Sequence, residues 1–260
     1  MNYGICTQSL VPVRIQPGDR QEMVNQLLFG DLLVIKGHVK EWLLIETFDD
    51  QYEGWVDQKQ VLIIENETFN ELIVSDRFYS LSLASEVFTI DHSQKLSFTR
   101  GAFLPGFADH ALLVNGLKYD FHGEVIRAND LFDTESLINI AQSYLGMPYL
   151  WGGRSPFGID CSGFVQIVYK MCGLLLPRDA SQQVQHGENV SFVTEGKIGD
   201  LAFFGNEEGD INHVGILIGN DKIIHASGQV RIDKIDHQGI YNVDTNQYSH
   251  QLRVIKRVQN

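Results

Sequence analysis

The stretch Gly158-Ile159-Asp160-Cys161-Ser162-Gly163-Phe164-Val165 decides how this chain is read. Cys161 opens a helix, because Phe164, Ile167, Val168, Met171 and Cys172 follow at the spacing of one apolar stripe. Asp160 is a good N-cap residue and Gly173 a good stop. A cysteine in a first turn meets unsatisfied N–H groups and the positive end of the helix dipole. Both favour thiolate, which at such sites titrates several units below its ordinary value of about 8.5. That is the environment a nucleophilic sulfur requires. Cys172 lies at the other end of the stripe, where the dipole opposes thiolate, and reads as core. Cys6 is given no role.

A nucleophile needs a base and a group that orients the base. His213 sits in the apolar run Ile211–Ile218, and His225 follows in Ile223–Ser227. Gly219-Asn220-Asp221 between them is a hairpin signal. Side chains alternate faces along a strand, so a regular two-residue turn would put the two histidines on opposite faces. An odd loop or a bulge puts them on one face at diagonal positions, ~7–8 Å apart between α-carbons. The Cys161–His213–His225 reading therefore predicts a bulge or odd loop here. Zinc is the rival chemistry, but the spacings lack the close ligand pairs of a structural site, so no metal is assigned. His186, His237 and His250 lie in polar surroundings and read as surface residues.

Around this core the chain changes character once. Up to about residue 125, short apolar runs recur between turn residues: Leu32–Lys36, Trp42–Glu46, Leu62–Ile64, Leu72–Val74, Leu96–Thr99 and Ala111–Val114. Such punctuation predicts small barrels or sandwiches. Glu65-Asn66-Glu67 is a polar break that divides this region into 1–64 and 65–125. From near Asp130 the pattern turns helical. Leu137, Ile140, Ala141, Tyr144 and Leu145 share a helix face that Asp133 or Thr134 can cap. After Gly199 strands return, which makes residues 126–260 an α+β domain.

Composition bounds the function. The chain has 260 residues, 43% hydrophobic and 20% charged, a globular composition long enough for two or three small domains. Lys plus Arg number 20 and Asp plus Glu 33, a net charge of −13 that repels nucleic acid and anionic lipid. The opening residues show no secretory signal, and no apolar run reaches the ~18 residues of a membrane helix. Three cysteines do not make a disulfide framework, so the expected location is a reducing cytoplasm.

Five motifs then come in order: Asp160–Val165, Leu176-Pro177-Arg178-Asp179-Ala180-Ser181-Gln182-Gln183, Gly199–Phe204, His213-Val214-Gly215-Ile216 and His225-Ala226-Ser227. Together they resemble the NlpC/P60 cysteine peptidases of bacterial cell-wall metabolism. The resemblance implies a papain-like catalytic domain with Cys161, His213 and His225 as its triad, and no cofactor. Val13–Val61, with Glu22–Gly30 and Tyr52-Glu53-Gly54-Trp55-Val56, is similar to the SH3-like barrel of the branch that cleaves γ-D-glutamyl-diamino acid bonds. A second SH3-like barrel is expected over 65–125. The branch hydrolyses L-Ala-γ-D-Glu-diaminopimelate peptides and needs the free L-Ala amine. The resemblance implies that Glu22 and Tyr52 close the pocket over that amine, that Asp160, Ser162 and Ser181 help bind it, and that Trp151 forms a wall. A buried ammonium needs carboxylates, which suits Asp160 and Glu22.

The expected function is thus an intracellular murein-peptide endopeptidase that releases L-Ala-D-Glu during wall-peptide recycling. Amidase or acyltransferase chemistry on the same triad is one alternative. A non-catalytic wall-fragment binding protein is another.

Overall fold

The computed structural model describes residues 2–89, 91–128, 133–219 and 221–258. The expected change of character near Asp130 and the turn residue Asn220 lie outside them. The chain forms two compact units, Met1–Ala128 with Gly152–Pro156, and Asn129–Trp151 with Phe157–Asn260. Among the described residues no helix is long and apolar enough to cross a membrane.

The first unit begins with β1 (Asn2–Cys6), β2 (Leu10–Arg14), β3 (Met23–Leu28), β4 (Leu32–Val39), β5 (Trp42–Thr47), β6 (Glu53–Asp57) and β7 (Val61–Ile64). They form one sheet in the order β3-β2-β6-β5-β4-β1-β7. In β5, Leu43, Ile45 and Thr47 are buried and alternate with half-buried neighbours, the period of two that a one-faced core demands. A helix, α1 (Asn66–Val74), follows where the polar break and the run Leu72–Val74 predicted a boundary and a strand. Phe69, Leu72 and Ile73 fall on one helix face and pack with Ile5 and Leu32. Burying a side chain such as Phe69 stabilises by roughly 1.5–3 kcal/mol, enough to override the polar start.

The rest of this unit holds β8 (Phe78–Ser80), β9 (Ala84–Thr89), β10 (Lys95–Thr99), β11 (Ala111–Val114), β12 (Leu117–Asp120) and β13 (Val125–Arg127). Strands β10-β9-β12-β11 form a second sheet and β8 pairs with β13. Phe29, from the turn after β3, is buried in the core of this second sheet with Phe98 and Phe121. The two sheets therefore share a side chain across the expected division at residue 64.

The second unit opens with α2 (Thr134–Gln142), whose cap is Asp133 accepting from the N–H groups of Glu135 and Ser136. Next come α3 (Cys161–Met171) and the short α4 (Ala180–Gln183). The strands are β14 (Glu188–Val190), β15 (Leu201–Gly205), β16 (Ile211–Gly219), β17 (Lys222–Ser227), β18 (Gln229–Ile235), β19 (Gly239–Asn242) and β20 (Gln247–Arg257). They pair in the order β14-β20-β15-β16-β17-β18-β19, and β20 also pairs with β19, closing six strands into a ring. One half of β20 serves β19 and the other half serves β15. That closure brings His250 of β20 within reach of β16. All of α3 is buried, and it packs on β16 and β17.

Candidate active site

Cys161 is the first residue of α3, behind the N-cap Asp160, whose Oδ1 accepts from the N–H of Gly163 at 2.7 Å. The backbone N–H groups of Val214 and Ser162 favour the charged form of its sulfur. Helix α3 packs against β16, the strand that carries His213. The protonation of Cys161 differs from the expectation drawn from the helix dipole. Burial, reinforced by the charge of Asp160, pushes the Cys161 thiol up to about 12, and the two N–H donors and Arg178 only partly offset this. At rest the sulfur is a thiol. Burial and the neighbouring His250 and His225 hold His213 well below 6.5, so its ring is neutral.

The hairpin between β16 and β17 carries the irregularity that shared-face histidines require. Gly215 lies opposite His225 and Gly219 opposite Lys222, with a register shift between Leu217 and Gly219. His213, two residues from Gly215, thus shares a face with His225. His213 Nε2 stands 2.8 Å from His225 Nδ1, and His225 Nε2 stands 3.0 Å from Asp233 Oδ2. Both rings are buried.

Asp233 completes a chain that sequence reading missed. Arg231 grips its carboxylate at both oxygens, Nε to Oδ2 at 2.7 Å and Nη2 to Oδ1 at 2.8 Å, and also bonds Asp244. Burial acts to raise the Asp233 carboxyl, but the His225 and Arg231 hydrogen bonds outweigh it and hold it below its usual range. An ionised carboxylate only accepts, so His225 Nε2 carries the hydrogen. His225 Nδ1 then accepts from His213 Nε2–H, and His213 Nδ1 is left with its lone pair available for the thiol. The network sets the tautomer of the base. The alternation Arg231-Ile232-Asp233 could have flagged one strand face; its closeness to His225 comes only from the β17–β18 ladder.

The other expected site residues divide. Asp160 and Ser162 are buried beside the sulfur, but both are already tied to Arg178. Its Nη1 donates to Asp160 Oδ1 and to Ser162 Oγ, both at 2.9 Å, and its Nη2 donates to Asp160 Oδ2 at 2.6 Å. Arg178 itself is 1% exposed. Gln183 is buried too, and its Nε2 donates to the carbonyls of Ser162 and Pro177. Ser181 is exposed on α4, and Trp151 is 61% exposed. Glu22 and Tyr52 belong to the first unit, at the edge of β3 and just before β6.

Two further residues escaped the sequence reading. Burial, then the charges of Cys161 and Asp160, push the Tyr149 phenol up to about 12. His250, expected on the surface, is half-buried and stacks on His213 with ring centroids 4.0 Å apart and planes 22° apart. Its flanks, Ser249 and Gln251, are polar because β20 is wet on one face there, and that polarity hid the inward ring.

Residues 146–252 match the model of the NlpC/P60 family. Over 86% of its length the chain is 27% identical to the Gamma-D-glutamyl-L-lysine dipeptidyl-peptidase of Bacillus subtilis, covering 74% of that protein. It is 25% identical to Dipeptidyl-peptidase 6 of Lysinibacillus sphaericus over 86% of this chain and 88% of that one. The crystal structure of an NlpC/P60 family protein from Bacillus cereus shares the fold, with a TM-score of 0.83 over 99% of this chain and 100% of that chain at 22% identity.

Proposed function

We propose that this chain, a cysteine peptidase of the NlpC/P60 family, hydrolyses the γ-D-glutamyl-diamino acid bond of murein peptides that carry a free N-terminal L-Ala. The products are L-Ala-D-Glu and the diamino acid end. The observation that carries the reading is the 2.8 Å contact of His213 Nε2 with His225 Nδ1, which leaves His213 Nδ1 for a helix-capped thiol. The name of the similar Gamma-D-glutamyl-L-lysine dipeptidyl-peptidase supports the bond and the substrate class.

The proposed reaction has two halves. His213 Nδ1 takes the Cys161 proton as sulfur attacks the γ-carbonyl carbon of D-Glu. The carbonyl oxygen becomes an oxyanion, stabilised by a backbone N–H at the start of α3, that of Cys161. The C–N bond breaks as protonated His213 gives its proton to the departing amine. Water, deprotonated by His213, then opens the thioester and frees the thiol. His225 and Asp233 position the base throughout.

Specificity is read from the ends of the site. Asp160, Ser162 and Ser181, with Glu22 and Tyr52, would bind the L-Ala ammonium, and Trp151 would form a wall. In this reading the catalytic domain is papain-like and the front unit is SH3-like. The enzyme recycles wall fragments in a reducing cytoplasm, where its three free cysteines persist.

Mass spectrometry of L-Ala-γ-D-Glu-diaminopimelate and of its L-Lys counterpart tests this. Wild type should release L-Ala-D-Glu, Cys161→Ala should not, and N-acetylation of L-Ala should abolish cleavage. Equal cleavage of the acetylated peptide would remove the free-amine requirement. No cleavage of any of them by folded, reduced protein would end the reading.

A further inference from the structure

Three elements surround the ring of His213. β20 supplies His250, whose ring lies almost parallel to that of His213, at 4.0 Å and 22°. β15 supplies Phe204, tilted at 5.8 Å from His213 and edge-on at 6.1 Å to His250. β17 supplies His225, perpendicular to both imidazoles. His250 is itself held. Its Nδ1 is 2.9 Å from Ser249 Oγ, and its strand approaches Gly239, where φ is +144° and any Cβ would collide with the His250 carbonyl.

We propose that His250 is a positioning residue, the aromatic platform on which His213 turns over. His213 is neutral at rest and becomes an imidazolium when it takes the thiol proton. A neutral π face stacked on a forming cation stabilises it in a site that water cannot screen. Burial, then the neighbouring His225, hold His250 down to about 4, so near neutral pH it offers a π face and not a second positive charge. The parallel stack also fixes the ring plane in which His213 Nδ1 must meet sulfur. His250 needs no contact with substrate to do either.

The inference rests on Cys161 and His213 being the reacting pair, and the test separates it from the choice of substrate. Iodoacetamide alkylates a thiol as a new S–C bond forms, iodide leaves and the proton passes to the base, so its rate at Cys161 reports the Cys161–His213 couple without any peptide. Mass spectrometry would locate the label, since Cys6 and Cys172 are also buried thiols. His250→Ala should slow both alkylation and kcat by about tenfold, the scale of a desolvated cation–π contact, with KM within about twofold of wild type. His250→Phe, which keeps the stack and loses the imidazole, should restore both rates to within about threefold. Melting curves would accompany each variant, and His250→Leu, which fills the space without a π system, would replace an unfolded alanine variant.

Wild-type rates in the folded non-aromatic variant would overturn the proposal. So would a phenylalanine variant as slow as alanine, or a loss confined to KM. If wild type left the murein peptides intact while alkylation still depended on an aromatic residue at 250, the platform would stand and the substrate assignment would fall.

Discussion

The guanidinium of Arg178 grips the carboxylate of Asp160 at both oxygens, at 2.9 and 2.6 Å, with both side chains buried. One carboxylate thus serves as N-cap of the nucleophile's helix and as counter-ion to a buried cation. Removing one partner of such a pair leaves an uncompensated buried charge. Arg178→Met should destabilise the catalytic unit by about 3–5 kcal/mol, read from urea denaturation. Adding Asp160→Asn should recover part of that loss. A single Arg178→Met variant as stable as wild type would mean that Asp160 finds water or another partner.

In the proposed reaction Asp233 acts through His225, to which its carboxylate is hydrogen-bonded. In Asp233→Leu the acceptor for His225 Nε2–H is gone, and the tautomer that leaves His213 Nδ1 basic is no longer favoured. Loss of tautomer control in a comparable triad costs about 10⁴ in turnover, so a fall of about 10²- to 10⁴-fold in kcat is expected here, with KM little changed. Asp233→Asn, whose amide N–H can donate to His225 Nε2 and hold the wrong tautomer, should fall as far. Wild-type turnover in either variant would mean that the tautomer is set without Asp233.

Acid should act on stability in a defined window. His213 and His250 titrate below 6.5 in the folded chain, His250 at about 4. The unfolded chain binds protons on them first, so their contribution is complete above pH 6.5 and is lost as pH falls through their folded values. The melting temperature should therefore drop between about pH 6.5 and 4, and His250→Phe should flatten part of that drop. Activity follows the same groups. With a neutral base and a thiol at about 12, kcat/KM should hold level through neutral pH and decline on the acid side only below 6.5. A midpoint well above 6.5 would contradict a depressed His213.

Gly215 sits directly opposite His225 in the β16–β17 ladder. A Cβ there would lie 2.7 Å from Ile223 Cδ1 and 2.8 Å from His225 Cβ. Gly215→Ala should cost about 1–3 kcal/mol through overpacking and lower kcat by displacing His225. Thermal melts and steady-state kinetics on the same preparation would show both. A stable variant with full turnover would mean the ladder yields without moving the ring.

The pattern of residues, taken alone, already contained the helix of Cys161, its Asp160 cap and the pairing of the two histidine strands. Each is a local matter of spacing, capping chemistry and turn signals within about a dozen residues. It also contained the need for a bulge, because alternation of side chains is a rule of parity. The strand expected at Leu72–Val74 failed for the opposite reason: three apolar residues fit either period, and contact with Ile5 and Leu32 selected the helix. The same limit hid Arg178, Asp233 and His250. Arg178 looks like one more charged residue until α3 buries it beside Asp160, and Asp233 like a surface carboxylate until β18 lies alongside β17. His250 becomes part of the site only when β20 closes the ring of strands. Protonation followed tertiary structure too. The helix start favours thiolate, but enclosure of the sulfur reverses the sign, because desolvation depends on everything packed around a group and not on its neighbours in the chain.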